Sequence, residues 1–69
     1  MRTVPTRDGR IRLGQFLKLA DLVDTGGDVK ELLGAGTVQV NGEVEPRRGR
    51  QLVRGDVVHL AGGDPVRVA

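Results

Sequence analysis

The run of residues 25–42, T-G-G-D-V-K-E-L-L-G-A-G-T-V-Q-V-N-G, constrains the fold more than any other part of this chain. It predicts a capped amphipathic helix, a glycine stop, a short strand and a tight turn, in that order. Thr25 has the hydroxyl of an N-cap, able to accept from a free N–H of the first turn. Asp28 falls where the helix dipole favours an anion. Val29, Leu32 and Leu33 recur at helical spacing and make one apolar face. Gly34 and Gly36 end the helix, because glycine tolerates the left-handed conformation of a C-cap. Val38 and Val40 alternate around Gln39, as a half-buried strand does. Asn41-Gly42 is the strongest short hairpin signal.

The flanking sequence extends this pattern. Residues 1–10 are expected to be a loose or weakly paired arm, broken by Pro5 and Gly9. Residues 11–69 then form a single domain. Ile11 and Arg12 read as a short strand leading into a first helix. Leu13, Phe16, Leu17 and Ala20 share one arc of that helix, and residues 21–24 link it to the second. Residues 43–45 return as a strand that Pro46 stops, since proline cannot donate to a ladder. Residues 47–51 form an arginine loop. Gly55-Asp56 turns the chain into a strand over 57–60, and residues 66–68 alternate as another. Helices first and strands later predict an α+β fold, with both helices packed on one face of a small, mainly antiparallel sheet of about 3–5 short strands. The expected core is Leu13, Phe16, Leu17, Ala20, Val29, Leu32, Leu33, Val38, Val40, Val44, Leu52, Val58 and Leu60. Leu19, Leu22 and Val23 are placed at the corner between the helices.

Composition removes whole classes of function. The chain of 69 residues has no Ser, Cys, Tyr or Trp and a single histidine, His59. A serine or cysteine nucleophile is therefore impossible, as is a histidine-rich metal site. Asp21, Asp24, Asp28 and Glu31 read as a solvated helix end, without the order of a calcium loop. No enzyme activity, cofactor or metal is expected. No apolar run approaches the roughly 20 residues of a membrane helix. The N-terminus lacks the apolar stretch of a signal peptide, so a cytoplasmic protein is expected.

Charge is nearly balanced in sum and uneven in place. The formal net charge is +2, from 11 basic and 9 acidic residues. Residues 1–12 carry +3 and residues 47–55 carry +4 with no acid, while the segments between and after are acidic. Two basic blocks on a balanced chain point to a localised anion-binding face. Nine of the basic residues are arginine, whose planar fork suits phosphates.

Together the stretches I-R-L-G-Q-F-L-K-L-A-D-L-V-D-T-G-G-D-V-K-E-L-L, V-Q-V-N-G-E-V-E-P-R-R-G-R and G-D-V-V-H-L, in this order and spacing, resemble a known family. It is the RNA-binding domain named after ribosomal protein S-four, also called the alpha-L motif. Within it, the chain looks like the small, single-domain bacterial YbcJ-like subfamily. The resemblance implies a stand-alone RNA-binding domain with no catalytic partner attached. Related domains occur in ribosomal proteins, pseudouridine synthases and tyrosyl-tRNA synthetases, where they bind structured RNA while any chemistry lies elsewhere.

Family positions carry over where residues match. Arg12 matches the basic residue that opens the first helix. Thr25 stands for the serine that begins the second, and Lys30 for its later basic residue. Gly26 stands where an arginine is usual, which removes one phosphate contact from the family footprint. Asn41 matches the turn asparagine. Lys18 points away from the apolar arc of its helix. Arg47, Arg48 and Arg50, with Gly49 between them, are suited to wrap a phosphate path. Gln39 faces solvent by alternation, within reach of a base or sugar.

The expected function is therefore docking on structured RNA (ribosomal RNA, its precursors or tRNA). Arg12, Lys18, Lys30, Arg47, Arg48 and Arg50 contact phosphates and riboses in this reading, and the free N–H groups opening the second helix add another contact. With one Phe and no Tyr or Trp, base stacking cannot be the main mode, which leaves shape and backbone recognition. A protein-interaction adaptor using the same arginine face on an acidic partner is the alternative, and duplex DNA binding a third reading.

Overall fold

Seven short strands and two helices are formed by the described residues, 1–23 and 26–69, of a computed structural model of the chain. Two strands come first, β1 (Arg2–Val4) and β2 (Arg10–Arg12). Helices α1 (Leu13–Leu19) and α2 (Gly26–Gly34) follow. Then come β3 (Val38–Val40), β4 (Glu43–Val44), β5 (Gln51–Val53), β6 (Val57–Leu60) and β7 (Val66–Val68). The fold is α+β, but the helices do not precede all the strands. Thr25, the expected cap of α2, lies outside the described residues.

Five strands make one sheet in the order β1-β7-β6-β3-β4, and β2 and β5 pair as a separate two-stranded ribbon. Every pairing is antiparallel except β1 with β7. Residues 1–10, expected as an arm, thus supply an edge strand of the main sheet and the start of the ribbon. Val4 aligns with Val68 and is buried, which anchors β1. Gln51 was expected to end the arginine loop, and residues 52–53 were assigned to no strand; together they form β5. It pairs with β2 because Leu52, opposite Ile11, has an apolar surface to cover.

Local chemistry sets the turns. Asn41 and Gly42 both have positive φ, 52° and 87°, as a tight hairpin turn of matching twist requires. The Asn41 side chain donates to Asp56 and accepts from the Val57 amide, so it also ties this turn to the start of β6. Gly36, at φ 73°, closes α2. Its amide donates to Leu33 and the next amide, of Thr37, to Leu32, the paired bonds of a Schellman end. His59 is half-buried and its Nε2 meets the Gly63 carbonyl oxygen at 2.6 Å, pinning the β6–β7 turn.

The core sits between the helices and the sheet. Leu13, Phe16, Leu17, Ala20, Val29, Leu33, Val38, Val40, Leu52 and Val58 are buried as expected, joined by Val4, Val23, Val66 and Val68. Leu32 and Leu60 pack against its edge. One expected core member, Val44, is not there, and Leu19, expected at the corner between the helices, is exposed. Val44 is 55% exposed because it lies opposite Gln39, on the sheet face turned away from Val38 and Val40. Leu19 is 51% exposed, one residue off the Phe16–Ala20 arc.

Candidate nucleic-acid interface

The segment after β4 departs from the sheet at Glu45-Pro46 and organises the basic end of the molecule. Glu45 is buried, yet it is the acceptor for two arginines. The Arg47 amide and Nε donate to Oε2, both at 3.1 Å, and Arg50 Nη1 donates to Oε1 at 2.9 Å. These donors hold the carboxyl at about 2, well below its ordinary 4.5, with the Arg47 side chain the largest cause. The same contact pushes the Arg47 guanidinium up. The block read as carrying no neutralising acid therefore has one two residues upstream. Arg47 remains 75% exposed at its side chain, whereas Arg50 is 33% exposed.

The loop so fixed is also the cap of α1. Arg12, at the N-cap position, makes no side-chain capping bond. Instead the Leu13 amide donates to the Arg50 carbonyl at 2.8 Å, and the Gly14 amide donates to that of Arg48 at 2.9 Å. Two of the orphan donors of the first turn are satisfied in this way. Arg12 Nη1 donates to the Gly49 carbonyl at 2.9 Å, closing the loop against β2. Glycine at position 14 lets the loop approach this closely. A β-carbon there would lie 3.3 Å from Arg48 Cβ and 3.4 Å from its carbonyl oxygen.

Between α1, α2 and the loop lies a cleft of about 290 Å³ lined by Arg12, Gly14, Gln15, Lys18, Val29, Arg48 and Gly49. Three of these are cations and none is acidic. Among the described residues the ion pairs are those of Glu45, and none involves Arg12, Lys18 or Arg48. A concave site with unopposed positive charge concentrates anions.

The expected site residues divide accordingly. Arg12, Lys18 and Arg48 meet in the cleft. Arg47 and Arg50 are bound to Glu45 and do not line it. Lys30 is exposed on α2, next to Val29, which does line it. Gln39 is half-buried in β3 between Val44 and His59, and Asn41 uses both ends of its amide within the fold. Neither borders the cleft.

Residues 4–69 match the family model described as S4 domain. The chain belongs to this family. Over 52 residues it is 54% identical to a protein of Bacillus subtilis (strain 168) described as a probable ribosome maturation protein, RlbA. The alignment covers 75% of this chain and 73% of that protein.

In this S4 domain, Gln15 and Gly14 line the cleft and Glu45 fixes the loop beside it, and sequence reasoning gave none of the three a site role. Gln15 precedes Lys18 by three on α1 and so shares its face, a spacing legible in the sequence. Glu45 was counted with the acidic segment before the arginines rather than with them. The closeness of Gly14 to Arg48 has no local signature, since 34 residues separate the two.

Proposed function

We propose that this S4 domain is a non-catalytic RNA-binding protein that docks on structured RNA, either ribosomal RNA, its precursors or tRNA. The observation that carries the reading is the convergence of Arg12, Lys18 and Arg48 on one cleft that, among the described residues, is lined by no acid. The maturation role in the name of the Bacillus subtilis relative favours ribosomal RNA or a ribosomal precursor as the partner, in the cytoplasm. The single Phe is fully buried, so it offers no stacking platform. Contacts to phosphate and ribose are the mode that remains. Lys30 is a peripheral contact in this scheme.

The test is RNA binding by the purified protein, wild type against Lys18→Gln/Arg48→Gln, at two salt concentrations. These two residues are chosen because, among the described residues, neither side chain has a hydrogen-bond partner, unlike Arg12, Arg47 and Arg50. Neutralising about four phosphates corresponds to a log–log salt slope near −3. Wild-type binding of a structured ribosomal RNA fragment over an equal-length DNA duplex, lost in the folded variant, is the expected result. Equal binding by both proteins would remove the cleft from the interface. Absence of RNA binding would move the cleft to an acidic protein partner.

A further inference from the structure

The β2–β5 ribbon turns one face to the core and leaves the other open. Ile11 and Leu52 face inward as a pair. On the opposite face Arg10 lies across from Val53 and Arg12 across from Gln51, and all four residues are exposed. Arg54 follows β5 and folds back over the turn before β2. A β-carbon on Gly9 would lie 3.0 Å from Arg54 Nη2 and 3.1 Å from its Cζ. The guanidinium therefore lies on the backbone of Gly9, a buried glycine at φ 76°, at the entry to Arg10.

Cations therefore sit at both ends of the ribbon and on its open face. Arg54 covers the Gly9 turn, Arg10 follows that turn, and Arg12 shares Arg10's face of the strand. Arg12 in turn lines the cleft with Arg48 and Lys18. Side chains two apart on one strand face are about 6.8 Å apart, so Arg10 and Arg12 reach two anions rather than one. Two carboxylates lie near these cations and both are turned to other work. Asp8 accepts from the Arg10 amide. Asp56 accepts from the Val53 amide and from Asn41. Among the described residues, no carboxylate forms an ion pair with any of these cations.

We propose that the open face of the ribbon is a second RNA-binding surface, carrying the sugar–phosphate backbone onward from the α1 cleft to the Gly9 turn. This rests on the RNA-binding reading of the cleft and extends it to Arg10 and Arg54. Gln51 and the exposed side chain of Val53 supply a polar and an apolar contact for ribose beside the two arginines. The occupant is RNA backbone because these cations have no carboxylate ion-pair partner among the described residues and Arg12 belongs both to this face and to the cleft.

The experiment compares three charge-neutralising pairs, each checked for folding by thermal denaturation, on one labelled structured ribosomal RNA fragment across a salt series. The pairs are Arg10→Gln/Arg54→Gln on the ribbon, Lys18→Gln/Arg48→Gln in the cleft, and Arg2→Gln/Arg67→Gln on the main sheet as a control for net charge. The ribbon pair is expected to weaken binding about tenfold and to flatten the log–log salt slope by about 1.5, while the control pair does neither. Wild-type behaviour of the ribbon pair alongside loss in the cleft pair overturns the ribbon and leaves the cleft standing. An equal loss in the control pair overturns it too, by assigning the effect to net charge. No change in either ribbon or cleft pair overturns both sites. If release of Arg54 from Gly9 unfolds the double variant, Arg10→Gln alone is read, with a slope change of about 0.7–0.9 expected.

Discussion

The amide of Gly14 donates to the carbonyl of Arg48 at 2.9 Å, and that bond seats the middle of the arginine loop on the first turn of α1. A side chain at position 14 must displace Arg48 or the helix. Gly14→Leu is therefore expected to destabilise the fold by about 1–3 kcal/mol, the usual range for overpacking. Urea denaturation measures this. RNA affinity should fall in the fraction that remains folded, because Arg48 moves with its carbonyl. A midpoint equal to wild type would mean that the loop yields without cost.

Glu45 gives the domain an acid-sensitive joint. Its carboxyl is held at about 2 in the folded chain against an ordinary 4.5. The stability it contributes is present above about 4.5 and is lost as the pH falls through about 2. Glu45→Gln removes that contribution at neutral pH. Denaturation midpoints of wild type and variant should differ at pH 7 and converge as pH approaches 2. A gap that stays constant down to that pH would show that the carboxylate charge is not what holds the loop.

Arg48 and Arg50 are two residues apart and should fail in different ways. Arg50 donates to buried Glu45, and its backbone carbonyl holds α1. Arg48 presents its side chain to the cleft. Arg50→Ala is expected to lower the melting temperature more than Arg48→Ala, whereas Arg48→Ala should cost more RNA affinity per folded molecule. Parallel melting curves and binding isotherms separate the two, and the reverse order would exchange the roles assigned here.

Asn41 combines a positive φ with two side-chain bonds, so two substitutions divide its contribution. Asn41→Gly keeps the backbone conformation and loses the bonds, at about 1 kcal/mol. Asn41→Ala loses the bonds and also strains the turn, at about 1–3 kcal/mol in all. The expected stability order is wild type, then Gly, then Ala. RNA affinity of the glycine variant should match wild type, since the amide is already committed to Asp56 and Val57.

The part of the fold legible in the sequence is the part made by neighbours. The α2 face, the Gly36 stop, the β3 alternation and the Asn41-Gly42 turn each follow from interactions within about five residues. β1 and β5 escaped because R-T-V and Q-L-V lack the apolar–polar–apolar alternation that V-Q-V and V-R-V show, and their partners lie far along the chain. Val44 looked like core by hydropathy, but the register of β4 on β3 assigns it to the open face. At the candidate site, counting arginines picked out the loop that borders the cleft. What it could not supply was the division of labour within it, which Glu45 decides by taking Arg47 and Arg50 and leaving Arg48 to the cleft.

The parallel pairing of β1 with β7 makes folding depend on the order of synthesis. Residues 2–4 are made before their ladder partner, residues 66–68, which follows both helices and the other five strands. Thr6 likewise waits for Ala69, whose carbonyl accepts both its amide and its hydroxyl. Until then Val4 has no sheet to enter and one edge of β7's future position stays open. Closing a loop of this length is slow compared with forming a local turn. The ribbon and the helix cap close shorter loops than β1 with β7, so the basic surface does not depend on that last pairing being made.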